Sequence, residues 1–96
     1  MVGIEILVKV APEKRAEFLQ AFELLTNHNQ QKHQRIALEL FEKIHEPNTF
    51  LWLEHWEEQE ALQNYFQDNS WRAMLGAIEV LGQLVHKRSF FIEEDK

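Results

Sequence analysis

Hydrophobic and polar residues alternate along the first ten residues, with the even positions aliphatic and the odd positions mixed. A two-residue period is typical of a β-strand that buries one face, and we predict the first strand over Val2–Val10. The aliphatic face consists of Ile4, Ile6, Val8 and Val10, and the mixed face of Glu5, Leu7 and Lys9. The pattern then changes to the three- and four-residue spacing of a helix over residues 12 to 26 or 27, with Pro12 in its first turn.

A polar segment over residues 27–34 follows, and we interpret it as a surface connection or as the rim of a pocket. Alternation returns over residues 35–44, which predicts a second strand. One face would carry Ile36, Leu38, Leu40 and Ile44, and the other Ala37, Glu39, Phe41 and Lys43. The turn signal at residues 46–48 leads to a third strand over Thr49–Trp56, so these strands should form a hairpin.

An acidic segment at residues 57–60 opens a second helix, because negative charge favours the positive end of the helix dipole. Its apolar face consists of Ala61, Leu62, Tyr65 and Phe66. Residues 68–70 interrupt this face, and Ser70 is predicted to cap a further helical segment that ends near Gly82. The last strand is predicted over residues 84–92, and residues 93–96 form a charged tail.

The order β-α-β-β-α-β predicts one α+β domain over residues 1–96, a ferredoxin-like sandwich with both helices on one face of an antiparallel sheet. If the aliphatic strand faces meet the helices, the other sheet face combines charges with Leu7 and Phe41. Such a face is too apolar for water and too charged for a closed core. We therefore predict a homodimer that packs two sheets together, since symmetric dimers are the commonest oligomers.

Composition narrows the choice of partners and compartment. The formal net charge of −6 gives no attraction to phosphate backbones, so nucleic acid is not an expected partner. The chain contains no cysteine, which removes disulfides and thiolate metal sites. Neither an apolar run long enough to span a membrane nor a signal peptide is visible, and we predict a cytoplasmic protein without a membrane partner.

Several segments together resemble the antibiotic biosynthesis monooxygenase domain family. They are the alternating first strand, Pro12 with Phe18 and Leu19, residues 50–56 with Glu54 and Trp56, residues 60–62 (Glu-Ala-Leu), and Trp71. The resemblance covers nearly the whole chain. It implies a dimeric α/β barrel with a pocket between sheet and helices, and oxygen chemistry on quinols or phenols without a cofactor.

One branch of that family degrades haem, which it binds through a histidine in the segment after the second helix. The corresponding place here falls near Leu75, and no histidine lies between His55 and His86. The five histidines also show no metal-ligand spacing, so the plain interpretation is that they are loop and strand-surface residues. We therefore predict no haem, no metal site and no other cofactor.

Candidate catalytic residues are His55 as a base and Tyr65 as its hydrogen-bonding partner, with Trp52, Trp71 and Arg88 assigned to substrate binding. Each has a plainer interpretation. His55 suits an exposed strand position, and buried aromatic side chains mostly fill cores. A flat, dry pocket for an aromatic ligand is the alternative.

Glu54 shares a strand face with Trp52 and Trp56, so a buried carboxylate is expected there and requires a partner. Arg88, Lys87 or a residue across the dimer is the expected structural partner. Two hypotheses for function follow. The first is a small cofactor-independent monooxygenase that acts on a quinol-like or phenolic aromatic, and the second is a non-catalytic dimeric module that binds a small ligand or another protein.

Overall fold

The computed structural model describes residues 1–28 and 35–92, with only the backbone described for residues 25–28 and 35–36. The elements in chain order are β1 (Val2–Val10), a short 3-10 helix (Pro12–Lys14), α1 (Arg15–His28), β2 (Arg35–Glu42), β3 (Thr49–Trp56), α2 (Gln59–Phe66), α3 (Asn69–Leu81) and β4 (Gly82–Phe91). Residues 29–34 of the predicted polar segment and residues 93–96 of the predicted tail lie outside the described part.

The four strands form one antiparallel sheet in the order β2-β3-β1-β4. Ile6 on β1 pairs with Trp52 on β3 and with Lys87 on β4, so these side chains share one face. The helices cover this face, which we call the helix side, and the opposite face is called the open side. The predicted ferredoxin-like α+β fold is confirmed.

The core lies between the helix side and the helices. Ile4, Ile6 and Val8 of β1 have no exposed surface, and Phe18 of α1 and Ile78 of α3 pack over them almost fully buried. Burying one such aliphatic side chain contributes about 1.5–3 kcal/mol, so the regular alternation of β1 accounts for much of the driving force for folding. The predicted first strand agrees with the structure at both ends.

The break between α2 and α3 is capped by Asp68 rather than by the predicted Ser70. The Asp68 carboxylate accepts a hydrogen bond of 3.1 Å from the backbone N–H of Ser70. Asp68 has an extended backbone, with φ −78° and ψ 147°, as an N-cap residue requires. Ser70 is already inside the helix, where it supplies the N–H that the cap satisfies.

β2 ends at Glu42, two residues before the predicted end, and Ile44 is 90% exposed in the turn. A polar cluster explains the early end. Arg15, at the start of α1, binds both carboxylate oxygens of Glu42 and also donates to Asn48 Oδ1 at 3.1 Å. The backbone N–H of Asn48 donates to Glu42 at 2.8 Å, and Asn48 adopts a left-handed conformation with φ 67°. We call Arg15, Glu42 and Asn48 the hairpin clamp.

The hairpin clamp strongly favours the ionised form of Glu42. The Arg15 guanidinium, with a smaller contribution from the Asn48 N–H, lowers the pKa of Glu42 from 4.5 to about 2. The clamp therefore joins the N-terminus of α1 to the end of the β2–β3 hairpin over the pH range in which Glu42 stays ionised.

α3 passes into β4 without a loop, so β4 begins at Gly82 instead of the predicted residue 84. A Cβ atom at Gly82 would lie 2.1 Å from the backbone carbonyl oxygen of Lys9. Only glycine permits this approach of two backbones. Within the described part of the chain, no helix is long and apolar enough to cross a membrane.

Candidate functional site

A buried carboxylate lies at the centre of the helix side. Glu54 of β3 has no exposed surface, and its Oε2 accepts hydrogen bonds from Trp52 Nε1 at 2.9 Å and from the Tyr65 hydroxyl at 3.4 Å. Burying an ionised carboxylate is unfavourable unless hydrogen bonds compensate for lost water. We call Trp52, Glu54, Trp56 and Tyr65 the carboxylate site.

Local sequence explains how the carboxylate site assembles. The two-residue period of β3 places Trp52, Glu54 and Trp56 on the helix side, and all three are buried. Glu54 pairs with Ile4 on one neighbouring strand and with Leu38 on the other, so the sheet around it is apolar. Tyr65 reaches the carboxylate from α2 across the layer between sheet and helices.

Trp56 supplies a further polar group to this interior. Its ring stacks on that of Tyr65, with centroids 4.7 Å apart and planes inclined by 34°. The Trp56 indole N–H is buried and has no hydrogen-bond acceptor among the residues that the structure describes. A buried donor left unpaired costs about 1–3 kcal/mol, so such a group calls for an explanation such as a ligand or an ordered water.

Aromatic rings continue the site towards β4. The Tyr65 and Trp71 centroids are 5.4 Å apart in an edge arrangement, and the Phe66 and Trp71 centroids are 4.8 Å apart. The Lys87 ammonium lies 5.5 Å from the Trp71 ring centroid and 5.8 Å from that of Phe66. Trp71, predicted to bind substrate, is therefore a buried wall beside the carboxylate site.

His55, the predicted base, lies on the open side. It pairs with Gly3, and its ring meets that of Phe90 edge-on, with centroids 6.5 Å apart. Tyr65, its predicted hydrogen-bonding partner, lies on the helix side. The sheet therefore separates the two residues within one chain.

Arg88 also lies on the open side, where its Nε is 2.6 Å from Glu5 Oε1. The expectation that Arg88 is the partner of Glu54 is wrong. Lys87 lies on the helix side, where its ammonium is placed over the Phe66 and Trp71 rings. An irregularity in the pairing between Leu7 and Val8 shifts the register of β4. Alternation along the sequence alone therefore does not predict on which side of the sheet Lys87 and Arg88 lie.

The structure thus brings together three of the five predicted site residues, namely Trp52, Tyr65 and Trp71. Sequence reasoning did not place Trp56 among the candidate site residues and missed its unpaired N–H. The two-residue period of the third strand already places Trp56 on the same face as Glu54. No group of three histidine or acidic side chains suited to a metal occurs in the described ranges, and the absence of metal and haem stays a prediction.

The cavities lined by described residues are small near the carboxylate site. One of about 10 Å³ lies between α1 and α3 against Trp52, with Phe22 and Met74 in its wall. A cleft of about 100 Å³ lies between α2 and the end of β4, next to Phe66. The first volume holds about one water molecule, and the second is close to the size of a single aromatic ring.

The fold and the chain's pattern are those of a known family. The model for antibiotic biosynthesis monooxygenase matches residues 1–77, so the chain belongs to this family. A Bacillus subtilis (strain 168) relative, "Putative monooxygenase YcnE", is 38% identical over 63 residues, which span 66% of this chain and 66% of that protein. The match thus covers slightly less than two thirds of the relative.

Solved structures agree with the fold. A "putative antibiotic biosynthesis monooxygenase" from Deinococcus radiodurans has a TM-score of 0.87 and 18% identity, covering 100% of this chain and 96% of that one. A point mutant of SnoaB, a cofactor-independent oxygenase from Streptomyces nogalater, has a TM-score of 0.83 and 14% identity, covering 98% and 94%. At these identities the likeness shows a shared fold.

Proposed function

We propose that this protein is a monooxygenase that oxidises a quinol-like or phenolic aromatic with O2 and without a bound cofactor. Membership of the monooxygenase family and the name of the Bacillus subtilis relative support the reaction class. The observation that carries the proposal is the unpaired indole N–H of Trp56 beside the hydrogen-bonded pair of Tyr65 and Glu54.

The chemistry needs a proton acceptor and a donor for the anion that forms. Loss of a phenolic proton raises the electron density of the ring, and the ring then reduces O2. One oxygen atom enters the product as a carbonyl, and the other leaves as water after taking up two substrate hydrogens. The carboxylate site offers a proton path from the substrate hydroxyl through Tyr65 to Glu54.

Trp56 completes this arrangement. Its N–H can donate to the substrate oxygen that becomes negative, and a buried donor is worth more there than in water. The surrounding rings of Trp52 and Trp71 exclude water from the reacting anion. Binding of a ligand oxygen would also remove the energetic cost of the unpaired donor.

His55 as base stays a prediction, for a substrate that lies on the open side. Variants of His55 and Tyr65 distinguish these two assignments of the proton acceptor. Loss of turnover in His55→Ala with a full rate in Tyr65→Phe would place the chemistry on the open side. The reverse result is expected under the proposal.

Oxygen uptake with a panel of quinols and hydroxylated aromatics tests the proposal. Tyr65→Phe and Trp56→Phe each remove one polar group and keep a ring, and each should lower kcat about 100-fold with any active compound. The exposed Glu13→Gln is the matched control and should keep the parental rate. Circular dichroism would establish that the variants are folded.

A second candidate is the non-catalytic binding module, favoured by the small cavity of about 10 Å³ against Trp52. A catalytic site for an aromatic needs more room, since ligand pockets usually measure about 300–1,000 Å³. No oxygen consumption with any compound of the panel would support this candidate. A full rate in Tyr65→Phe and Trp56→Phe would reject the assignment of the carboxylate site.

We further propose that the protein forms a homodimer through the open side. This face carries apolar side chains among its charged ones on β1, β2 and β3, where Leu7, Leu51 and Leu53 are half-buried and Phe41 is 48% exposed. A second copy of the sheet would cover these side chains, and an isologous contact needs no other partner.

A further inference from the structure

Lys87 is exposed, and two aromatic rings lie beside its charged end. It lies on the helix side of the edge strand β4, opposite Ile6, and its ammonium points over the rings of Phe66 and Trp71. Distances of 5.8 and 5.5 Å to the two centroids are within the range of a cation–π interaction. The rings hold the ammonium near the seam between the sheet and the α2–α3 pair.

The charge of Lys87 is not matched by an acidic partner in the part of the chain that the structure describes. Its neighbour Arg88 is different, because Arg88 binds Glu5 at 2.6 Å on the open side. The chain has 16 acidic residues and 10 lysines and arginines, so carboxylates are plentiful. An ammonium that no described carboxylate pairs with retains hydrogen-bond donors for an anion.

A cleft of about 100 Å³ adjoins this lysine through a shared side chain. Phe66 has the Lys87 ammonium over its ring and also lines the cleft. Ser89, two residues along the same strand face, lines the cleft as well. Apolar surface comes from Val2, Leu62, Phe66 and Phe91, and polar groups from Gln59 and Ser89.

We propose that Lys87, Phe66 and Ser89 form a subsite for an aromatic carboxylate. The ring of the ligand would occupy the cleft against Phe66, and its carboxylate would accept hydrogen bonds from the Lys87 ammonium and the Ser89 hydroxyl. At about 100 Å³ the cleft is smaller than the pocket of a whole ligand, usually about 300–1,000 Å³, so it would hold only one ring of the substrate. A carboxylate on that ring complements the charge of Lys87. The inference deepens the proposed function, because it identifies the aromatic substrate as an acid.

Titration with benzoate tests the subsite without any turnover, since benzoate has no ring hydroxyl to oxidise. Benzamide is the matched neutral probe, with the same shape and no charge. Benzoate should bind about tenfold more tightly than benzamide, which corresponds to ~1.4 kcal/mol. In amide NMR spectra, benzoate should shift the signals of Phe66, Lys87 and Ser89.

Variants separate the subsite from general electrostatic attraction. Lys87→Gln should abolish the preference for benzoate, and Lys87→Arg should retain most of it. Lys14→Gln removes one positive charge from the exposed 3-10 helix and should bind like the parent. Equal affinity for the two probes, no binding of either at millimolar concentration, an unchanged Lys87→Gln, or shifts confined to another surface would each overturn the inference. The monooxygenase proposal would stand in each case, because oxygen uptake is measured separately.

Discussion

Two carboxylates on opposite faces of the same sheet are held in contrasting ways. Glu54 of β3 lies on the helix side and pairs with Ile4 of β1. Glu5, which follows Ile4 on β1, lies on the open side. Glu54 is fully buried and accepts hydrogen bonds from the neutral groups of Trp52 and Tyr65. Glu5 binds the guanidinium of Arg88 and lies 3.5 Å from His86 Nε2.

The contrast separates a structural ion pair from a candidate for proton transfer. The charge of Glu5 is neutralised where it lies, and breaking the pair would release a charge at a partly exposed site. Glu54 accepts hydrogen bonds from an indole N–H and a phenol hydroxyl, and the hydroxyl of Tyr65 is a group that can pass on a proton. Under the two proposals above, the helix side would serve chemistry and the open side association.

The largest expected effect distinguishes two adjacent residues on the two faces. Trp56→Ala should destabilise the fold by about 3–5 kcal/mol, because it removes a buried aromatic that packs on Tyr65. His55→Ala, on the open side, should change stability by less than about 0.5 kcal/mol. Denaturant unfolding followed by circular dichroism gives both values.

Equal midpoints for Trp56→Ala and the parent would contradict the burial of this side chain. Trp56→Phe serves as the control, since it retains a ring and should lose much less stability than the alanine variant.

A smaller effect is expected from a charge on the open side. Phe41→Asp should weaken the proposed dimer at least about tenfold, because it buries an unpaired carboxylate between two sheets. Glu13→Lys reverses a charge at an exposed site in the 3-10 helix, away from this face, and should not alter the dimer. Light scattering against concentration measures the effect, and a parent protein that stays at 11.5 kDa at micromolar concentration would refute the dimer.

The smallest effect concerns a third carboxylate, Glu42 of the hairpin clamp. Its pKa falls from 4.5 to about 2 in the folded chain, so the clamp contributes fully above pH 4.5 and loses its contribution as the pH falls towards 2. The difference in Tm between the parent and Glu42→Gln should be constant near neutral pH and shrink in acid.

The exposed Glu13→Gln is the control and should show no such pH dependence. A Tm difference that does not shrink between pH 4.5 and 2 would show that Arg15 does not hold Glu42 in its ionised form.

Periodicity predicted the elements whose burial is regular. β1 alternates without interruption, so its limits and its buried face follow from the sequence. β3 shows the same regularity, which places Glu54 in the interior and His55 outside it. The family resemblance added the reaction class, which no single residue of the chain encodes.

Irregular features were missed because they depend on contacts distant in sequence. Arg15 binds Glu42 from 27 positions away and ends β2 before Ile44. The register shift opposite Leu7 decides which side of the sheet receives Arg88. The unpaired N–H of Trp56 can be recognised only from the three-dimensional positions of the neighbouring acceptors.

The loop-free junction at Gly82 has a mechanical consequence. A helix that continues directly into an edge strand has no slack, so α3 cannot shift along its axis without pulling β4 away from β1. The two elements should therefore open as one cooperative unit in hydrogen exchange. Any motion of Trp71 on α3 that admits a ligand would then displace Lys87. The displacement would pass through the backbone and through the contact between the Lys87 ammonium and the Trp71 ring.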